Sequence, residues 1–431
     1  MTVLIDDQAS SYTTRSGFNT CKWYRVLLMK IRILISAIFL QAITALGAVH
    51  GPICQWHQDP CSSMAVHWIE SSEAALKQPF IFTYRKLGGA QWLQGQVETR
   101  QFGPTKYQVY SADLGGLDPD SRYNFKISKG DRLIGSWFFK TAPKVFEEGM
   151  SFVTGGDMFH TREMLDSMNL RAGTEDPLFA LLGGDLAYAN GVDGDRWLEW
   201  AESWSKCAIT VEGCMIPMIP VIGNHEVKGA AYRPTDAPPR SEAPFFYSLF
   251  FGMKEGSKFS INFGKYLTLI ALDSGHTENV ESQTPWLRRV LHERKAFPFK
   301  FACYHRPAWG TGVKNDAVEI QRAWCPLFEE FGVDAVFEND HHTYKRTYPL
   351  RAGKRDNENG VVYLGDGAWG TRTRAIGSDI EKQRPFLAHA ASTNHLIKVI
   401  LKDSKIRYEA ITAAGVRFDV AEKAPRSKGE Q

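Results

Sequence analysis

The chain has 431 residues, of which 43% are hydrophobic and 23% are charged, and its formal net charge is +3. This length exceeds that of an average single domain, so two folded domains are predicted. The composition is that of an ordinary globular protein without low-complexity tracts. Because a net charge of +3 is too small to favour nucleic acid, no nucleic-acid platform is predicted.

A secretory signal peptide is predicted at residues 29–48. The basic segment Met29–Arg32 precedes an apolar run over residues 33–46, which ends in small residues suited to cleavage. The run is shorter than the roughly 20 residues of a membrane span. Residues 1–28 are predicted to be an untranslated or disordered extension. The protein is therefore expected to be secreted, periplasmic or extracellular, with no stable membrane span after cleavage. An uncleaved signal-anchor is the alternative.

Six cysteines follow the predicted signal peptide. An even number in an exported chain predicts disulfides, and buried free thiols are the alternative. Their spacing does not match that of a zinc site. They form three pairs that are close in sequence, namely Cys54 and Cys61, Cys207 and Cys214, and Cys303 and Cys325.

Residues 50–143 are predicted to form an all-β sandwich. Runs rich in β-forming residues, such as Ala65–Ile69 and Phe80–Tyr84, lie between turn signals. Tyr123 follows a Leu-x-Pro turn that begins at Leu117, which is similar to the tyrosine corner of immunoglobulin-like sandwiches. The region resembles a fibronectin type III domain, and no catalytic residue is predicted in it.

Strands and helices alternate from residue 148 to about residue 420, which predicts an α/β domain with βαβ units. Helices are predicted over Thr161–Arg171, Asp195–Lys206 and Val318–Phe331. Buried strands are predicted over Ser151–Thr154, Leu178–Leu182, Met218–Ile222, Tyr266–Leu272, Phe299–Tyr304 and Val333–Phe337.

Several of these strands end in a residue that can ligate a metal ion. Asp157 and Asp185 each follow a Gly-Gly pair, and Asn224 and His305 come at the ends of two further apolar strands. Because ligands of α/β sheets bind beyond the carboxyl ends of the strands, these side chains are expected to converge. Taken singly, the two aspartates are also typical helix caps. Together, the oxygen and nitrogen donors predict a site for hard-to-borderline cations.

Five motifs follow one another along the chain, namely Gly156-Asp157, Gly184-Asp185-Leu186-Ala187-Tyr188, Gly223-Asn224-His225-Glu226, His305 and His342-Thr343-Tyr344-Lys345-Arg346. They resemble the ordered motifs of the metallophosphoesterases, and a tyrosine three residues after the second aspartate is typical of the purple acid phosphatases. The resemblance spans residues 50–415. It implies a fibronectin type III-like domain at 50–143, followed by a four-layer α/β (α+β) metallophosphoesterase domain at 148–420.

The resemblance also implies a binuclear metal centre. A ferric ion would be held at the Tyr188 site, and a divalent ion (Fe, Mn, Zn or Mg) at the Asn224 and His305 site. The implied ligands of the ferric ion are Asp157, Tyr188 and His342, those of the divalent ion are Asn224 and His305, and Asp185 bridges the two.

The implied activity is that of an acid phosphatase, in which a metal-bridging hydroxide hydrolyses phosphate monoesters. Catalytic roles fall to Asp185 and to His225, which would face the substrate phosphate. The substrates would be small phosphate esters or phosphorylated molecules. Phosphodiesterase or nucleotide phosphatase activity is one alternative. A degenerate, non-catalytic phosphate- or metal-binding protein is the other. No oligomeric state is predicted.

The last motif departs from the Gly-His-x-His pattern of the family, because this chain has Asn339-Asp340-His341-His342. Asp340 stands where a histidine normally binds the divalent ion. Either Asp340 is itself the ligand, or the loop rearranges and His341 is. Asp340 is favoured, since alternate residues of an extended segment share one side. A carboxylate there would weaken the attraction for phosphate dianions and favour Mn, Mg or Fe(II) over zinc.

Four further residues are predicted near the edge of the centre. His160 lies three residues after Asp157 and is a candidate for substrate contact. Tyr344 and Arg346 are predicted to brace the loop that carries the last histidine. Trp309 is predicted to line the substrate mouth.

Overall fold

The computed structural model of the protein describes residues 49–71, 78–252 and 256–426. The predicted extension and signal peptide, residues 1–48, lie outside the described residues. Within the described ranges, no helix is long and apolar enough to cross a membrane.

Most of the described chain is organised by strands. Numbered in chain order, they are β1 Val49–Gln55, β2 Met64–Ser71, β3 Phe80–Lys86, β4 Leu93–Gly95, β5 Glu98–Gln101, β6 Tyr107–Leu114, β7 Arg122–Lys129, β8 Arg132–Lys140, β9 Ser151–Gly155, β10 Ala180–Leu182, β11 Met218–Pro220, β12 Phe259–Phe263, β13 Leu267–Ala271, β14 Phe299–Cys303, β15 Ala335–Glu338, β16 Tyr344–Thr347, β17 Leu350–Arg351, β18 Lys354–Arg355, β19 Val362–Gly365, β20 Leu387–Ala391, β21 Leu396–Leu401, β22 Ile406–Ile411 and β23 Arg417–Lys423.

Helices connect many of these strands. The α-helices are α1 Arg162–Thr174, α2 Gly194–Cys207, α3 Pro244–Leu249, α4 Thr284–Glu293, α5 Val318–Ala323, α6 Cys325–Glu330 and α7 Ile380–Gln383. Short 3₁₀ turns are formed by Asn224–Glu226, Lys228–Ala230, Arg240–Glu242 and Glu281–Gln283.

Two large mixed sheets carry the fold. One has ten strands in the order β23-β22-β21-β9-β10-β11-β1-β2-β6-β5, and its strands β9, β10 and β11 are parallel. The other has seven strands in the order β12-β13-β14-β15-β19-β16-β20, and β13, β14, β15 and β19 are parallel. Each sheet therefore presents a row of carboxyl ends at one edge.

The two sheets pack face to face through aromatic side chains. The ring of Phe152 on β9 lies 5.5 Å from that of Phe301 on β14 and 5.9 Å from that of Phe337 on β15. The next residue, Val153, points the other way and packs with α1 and α2, and a separate core lies under α4 to α6. This alternation gives the predicted four layers, two sheets between two sets of helices.

The N-terminal strands form a second pair of layers. The four-stranded sheet β4-β3-β7-β8 shares a core with β1, β2 and β6, in which Trp68 stacks on Phe82 at 6.1 Å. The Tyr123 hydroxyl accepts a hydrogen bond from the amide of Asp118 at 2.9 Å, as in a tyrosine corner. However, β1 also pairs in parallel with β11. The β-rich region is thus continuous with the ten-stranded sheet, and its fibronectin type III assignment and boundaries remain predictions.

Predicted helices match the structure except in one place. Thr161 caps α1 by accepting from the amide of Met164, so this helix begins where the sequence indicates. The single helix predicted over Val318–Phe331 is wrong, because α5 and α6 are separated at Trp324. Pro326 follows at the start of α6, and its missing N–H prevents a continuous helix.

The predicted disulfides are also corrected. All six described cysteines are free thiols. Cys303 on β14 faces the core between the sheets, whereas Cys325 packs in the core under α4 to α6, so the two lie on opposite sides of a sheet. Burial raises the pKa of Cys325 to about 12, which keeps this thiol protonated.

Candidate metal centre

The predicted ligands follow directly on the strand ends and have an unusual backbone. Left-handed φ angles are uncommon for non-glycine residues and cluster at functional sites. Here they are adopted by Asp157 (56°), Asp185 (54°), Tyr188 (54°), Asp340 (73°) and His342 (58°). These turns after β9, β10 and β15 bring the side chains back over the sheet edges, where they meet.

The first half of the centre joins Asp157, Tyr188 and His342. The Tyr188 hydroxyl donates to Oδ1 of Asp157 at 2.8 Å, and Nε2 of His342 lies 3.0 Å from each of these two oxygens. The Nδ1 atom of His342 is 3.2 Å from the carbonyl of Arg372 and is assigned as a donor to it. This contact leaves the Nε2 lone pair facing the two oxygens, as a ligand histidine requires.

The second half joins Asp185, Asn224 and His305. Nδ1 of His305 lies 2.9 Å from the carbonyl of Gly183, which orients Nε2 toward the amide oxygen of Asn224 at 3.1 Å and Oδ2 of Asp185 at 3.2 Å. Oδ2 of Asp185 is buried and accepts no hydrogen bond from the described residues. In the neutral tautomer of His305, three acceptors therefore face one another.

The buried carboxylates of the centre favour a nearby positive charge. Burial lowers the pKa of His305, but the carboxylates of Asp185 and Asp157 outweigh it and raise that pKa to about 10. Burial and the same carboxylates raise the pKa of Tyr188 far above its usual range. Ligand atoms of Asp157, Asp185 and His305 all lie within 4.8 Å of one another. A cation shared by these groups would satisfy them, so the residues fit a metal ion.

His225 lies at the open side of the centre. Its amide donates to Oδ1 of Asp185 at 2.7 Å, its ring stacks on Tyr188 at 4.3 Å, and its Nε2 is 3.8 Å from Oδ2 of Asp185. Its Nδ1 hydrogen-bonds to Asn190, and its side chain is 26% exposed. The structure therefore places His225 beside the ligands, with a ring nitrogen that a bound substrate can reach.

Asp340 reaches the centre but is engaged by two cations. Its amide donates to Oδ2 of Asp157 at 2.8 Å, and its Oδ1 is 3.7 Å from Nε2 of His305. Its two carboxylate oxygens also accept from Arg306 and Lys314. Burial raises the pKa of Asp340, but His305, Arg306 and Lys314 outweigh it and hold the pKa well below its usual range. Ligation of a metal ion by Asp340 remains a prediction and must compete with these ion pairs.

His341 points into the interior instead. Its ring packs against Gly310, and its Nδ1 is 3.6 Å from Oδ2 of Asp366. Neither ring nitrogen makes a hydrogen bond to a described residue. The alternative in which His341 is the fourth ligand would therefore require the loop to rearrange.

The four peripheral residues occupy different places. His160 accepts a hydrogen bond from Nε of Arg372 at 2.6 Å. Tyr344 and Arg346 both bind the carboxylate of Asp419 on β23, at 2.6 Å and 2.7 Å, which fits the predicted bracing of the loop. Trp309 packs on Tyr363 and Phe386, so its ring belongs to a partly buried cluster and its proposed place at the mouth is not supported.

Two residues that contact the centre were not identified from the sequence, namely Glu226 and Lys314. Glu226 is fully buried and accepts from the amides of Asp185, Leu186 and Gly223 at 2.7–2.8 Å, so it ties the Asp185 loop to the Asn224 turn. Its position in the Gly223-Asn224-His225-Glu226 motif could have indicated that it supports the site. Lys314 lies in a Gly-Thr-Gly-Val-Lys turn nine residues after the His305 motif, and nothing in the sequence indicated that its side chain reaches Asp340.

Residues 154–344 match the calcineurin-like phosphoesterase family, so the chain contains a calcineurin-like metallophosphoesterase domain. Members of this family normally bind a binuclear metal centre. The matched residues run from the end of β9 to the start of β16 and include every proposed ligand.

Similar proteins include purple acid phosphatase 18 of Arabidopsis thaliana, 23% identical over 326 residues, which cover 70% of this chain and 68% of that protein. An uncharacterised protein of Mycobacterium tuberculosis is 27% identical over 242 residues, or 51% of this chain. The chain thus spans less than half of that relative, 41% of its length.

The fold is similar to that of a purple acid phosphatase from yellow lupin seeds. The TM-score is 0.71 at 16% identity, and the match covers 88% of this chain and 74% of the lupin chain. At this identity the likeness concerns the fold alone.

Proposed function

We propose that the protein is a metal-dependent hydrolase of phosphate monoesters. The proposal rests mainly on two histidines. Nε2 of His342 and Nε2 of His305 each lie 3.0–3.2 Å from two oxygen atoms that can ligate a metal ion. Oxygen and imidazole donors arranged in this way suit a metal ion of the kind used in phosphoryl transfer. The phosphoesterase domain supports the same reaction class.

The first half is the proposed site of a ferric ion, held by Asp157, Tyr188 and His342 with Asp185 beside them. A phenolate and carboxylates are hard anionic donors, which favour a trivalent ion. The sequence also predicts a divalent ion, which would lie between Asp185, Asn224 and His305, but monoester hydrolysis as proposed requires only that the centre holds a metal ion. A metal ion bound in this centre would supply positive charge to the phosphoryl oxygens and make an attacking water more acidic.

The protein's own part in the reaction falls mainly to His225. Its ring is fixed between Tyr188 and Asn190, and its free nitrogen faces the open side of the centre. We propose that it donates a proton to the leaving alcohol. Asp185 orients it, because its Oδ1 accepts the His225 amide.

The test is a substrate panel of phosphomonoesters, phosphodiesters and nucleotides with purified wild-type protein and two histidine variants. His225→Ala is expected to lower kcat on monoesters about 10²-fold while the metal content stays unchanged. His292→Ala, whose imidazole lies beside Phe331 and away from the proposed ligands, is the matched control and should retain wild-type kcat.

Three outcomes separate the alternatives. Hydrolysis of monoesters that depends on His225 supports the proposal. Faster turnover of diesters or nucleotides would assign the centre to those substrates instead. Metal-loaded protein that binds phosphate but hydrolyses none of the panel would favour a binding protein.

A further inference from the structure

Asp340 is bound by two cations at the second half of the centre. Its Oδ2 lies 2.5 Å from Nη1 of Arg306, and its Oδ1 lies 2.5 Å from Nζ of Lys314. The Asp340 side chain is 1% exposed, whereas those of Arg306 and Lys314 are 13% and 29% exposed. Both carboxylate oxygens therefore accept charged donors, and the cations reach solvent while the carboxylate does not.

These cations occupy both oxygens of the carboxylate that would complete a divalent site. An ion coordinated by Nε2 of His305 and Oδ1 of Asp340 would share that oxygen with the ammonium of Lys314. Like charges this close repel strongly in a buried site. Without Asp340, the second half offers only Asp185, Asn224 and His305, and the Asp185 carboxylate is shared with the first half, where it lies near Asp157.

Arg306 is fixed by contacts outside the centre. Its guanidinium lies 4.2 Å above the ring of Tyr232, and its amide donates to Oγ of Ser274 at 2.9 Å. Arg306 follows His305 directly in the chain, so the same backbone positions a proposed metal ligand and a cation. The guanidinium is thus held over Asp340 before any substrate binds.

The turn that carries Lys314 is also braced. Asp316, two residues further on, accepts from the amide of Gly310 at 3.0 Å and from Nη1 of Arg384 at 2.7 Å. These contacts close the turn between residues 310 and 316. Lys314 therefore reaches Asp340 from a defined loop, which makes its position specific.

We propose that Lys314, held by Asp340 beside Arg306, supplies the positive charge of the second half, so that this half retains no metal ion and Lys314 binds the phosphate group of the substrate. The inference rests on the proposed function, because it concerns the phosphate monoester hydrolysed there. Lys314 is then a substrate-binding residue, and Asp340 is a positioning residue that acts through it.

The charge balance changes accordingly. Within the second half, Asp340 carries one negative charge, whereas Lys314 and Arg306 together carry two positive charges. The excess positive charge lies on the side chains that reach solvent, where it attracts a phosphate dianion. The weak attraction predicted from the sequence assumed an Asp340 carboxylate without these two partners.

The experiment is metal analysis of the full chain after dialysis against metal-free buffer, with inorganic phosphate binding measured on the same samples. Wild-type protein is expected to retain one metal ion per chain. Lys314→Met is expected to retain one ion and to bind phosphate about 10-fold to 100-fold more weakly, since a charge-assisted contact is lost. Lys382→Met, on the short helix α7, is the control and should bind phosphate as the wild type does.

The double variant Asp340→His with Lys314→Met supplies an imidazole and removes the ammonium, so it is expected to retain two ions. Two ions in the wild type, or undiminished phosphate binding in Lys314→Met, would overturn the inference while leaving metal-dependent hydrolysis intact. No retained ion and no hydrolysis after metal addition would contradict both the inference and the proposed function. The wild-type stoichiometry decides between these outcomes even if the double variant does not fold.

Discussion

The Tyr188 hydroxyl lies within 3.0 Å of a carboxylate oxygen and of an imidazole nitrogen. Its phenol has a pKa raised far above the usual range by burial and by Asp157, so only a strongly charged cation would hold it as a phenolate. This residue is therefore the most direct reporter of the proposed ferric ion.

Substitution of Tyr188 by phenylalanine is expected to abolish a visible phenolate-to-iron charge-transfer band in iron-loaded protein. Tyr110→Phe, at a half-buried tyrosine of the β-rich region, should leave the band unchanged. The measurement is an absorption spectrum at matched iron content. A band that persists in Tyr188→Phe would remove this residue from the ligand set.

Gly367 tests how closely the centre is packed. It has a φ of 65°, and a Cβ atom built on it would lie 1.7 Å from Oδ2 of Asp157. Gly367→Ala should therefore displace this carboxylate and lower the retained metal content. Gly115→Ala is the control, because its Cβ would meet no atom within 4 Å. Equal metal content in the two variants would show that the loop around Asp157 adapts to the added methyl group.

The convergence of the ligand candidates could be predicted from the sequence, whereas the surroundings of Asp340 could not. Asp157, Asp185, Asn224 and His305 come at strand ends, and strand ends are visible in the hydrophobic pattern. The Lys314 contact joins residues 26 positions apart through an irregular turn, which no periodicity encodes. The geometry of Asp340 likewise depends on a left-handed backbone, so the rule for extended segments did not apply to it.

At the scale of elements, the centre depends on loops that are tied together below the ligands. Glu226 accepts three backbone amides from two of these loops and is 1% exposed. Hydrogen bonds to a charged acceptor are among the stronger ones in proteins, and a buried amide left without a partner is costly. The loops after β10 and β11 should therefore lose their relative position without this side chain.

Glu226→Ala is expected to lower the free energy of unfolding by about 3 kcal/mol or more, measured by chemical denaturation. Glu242→Ala, which removes only a surface ion pair with Lys228 at 3.6 Å, should change it by less than about 1 kcal/mol. A small effect of Glu226→Ala would mean that water replaces the carboxylate without cost.

Element boundaries were predicted less well than element types. Between residues 148 and 420 the sequence predicted the strands β9, β10, β11, β13, β14 and β15, but it did not predict β12 or β16 to β22. Strands β10 and β11 are only three residues long, because the chain turns early into the loops that carry Asp185 and Asn224. The break between α5 and α6 follows from one proline, which a helical pattern of apolar residues does not reveal. Disulfides were predicted from the even number of cysteines. In the structure, Cys303 and Cys325 are buried on opposite sides of a sheet and remain free thiols.

At the scale of the whole molecule, the β-rich region and the rest of the described chain share strands and a core. Gln55 on β1 pairs with Met218 on β11, and the core between the sheets continues from Trp68 to Phe152 and Phe337. Because a continuous sheet and core join the two regions, we expect the β-rich region and the rest of the described chain to unfold together.

Calorimetry of the metal-free protein is therefore expected to show one cooperative unfolding transition. The same midpoint should be found by fluorescence and by circular dichroism. Two transitions with separate midpoints would show that the region before residue 144 is an independently stable domain, despite the strand pairing that joins it to the rest.

The proposed function requires that the convergent side chains hold a metal ion on which phosphate ester hydrolysis depends. The most direct measurement is hydrolysis of a phosphomonoester, followed with metal content, as the ion is removed by a chelator and then restored. We expect activity and bound metal to fall together and to return together, and we expect Asp157→Asn to retain neither. Full activity in protein stripped of metal, or in Asp157→Asn without bound metal, would contradict the proposed function.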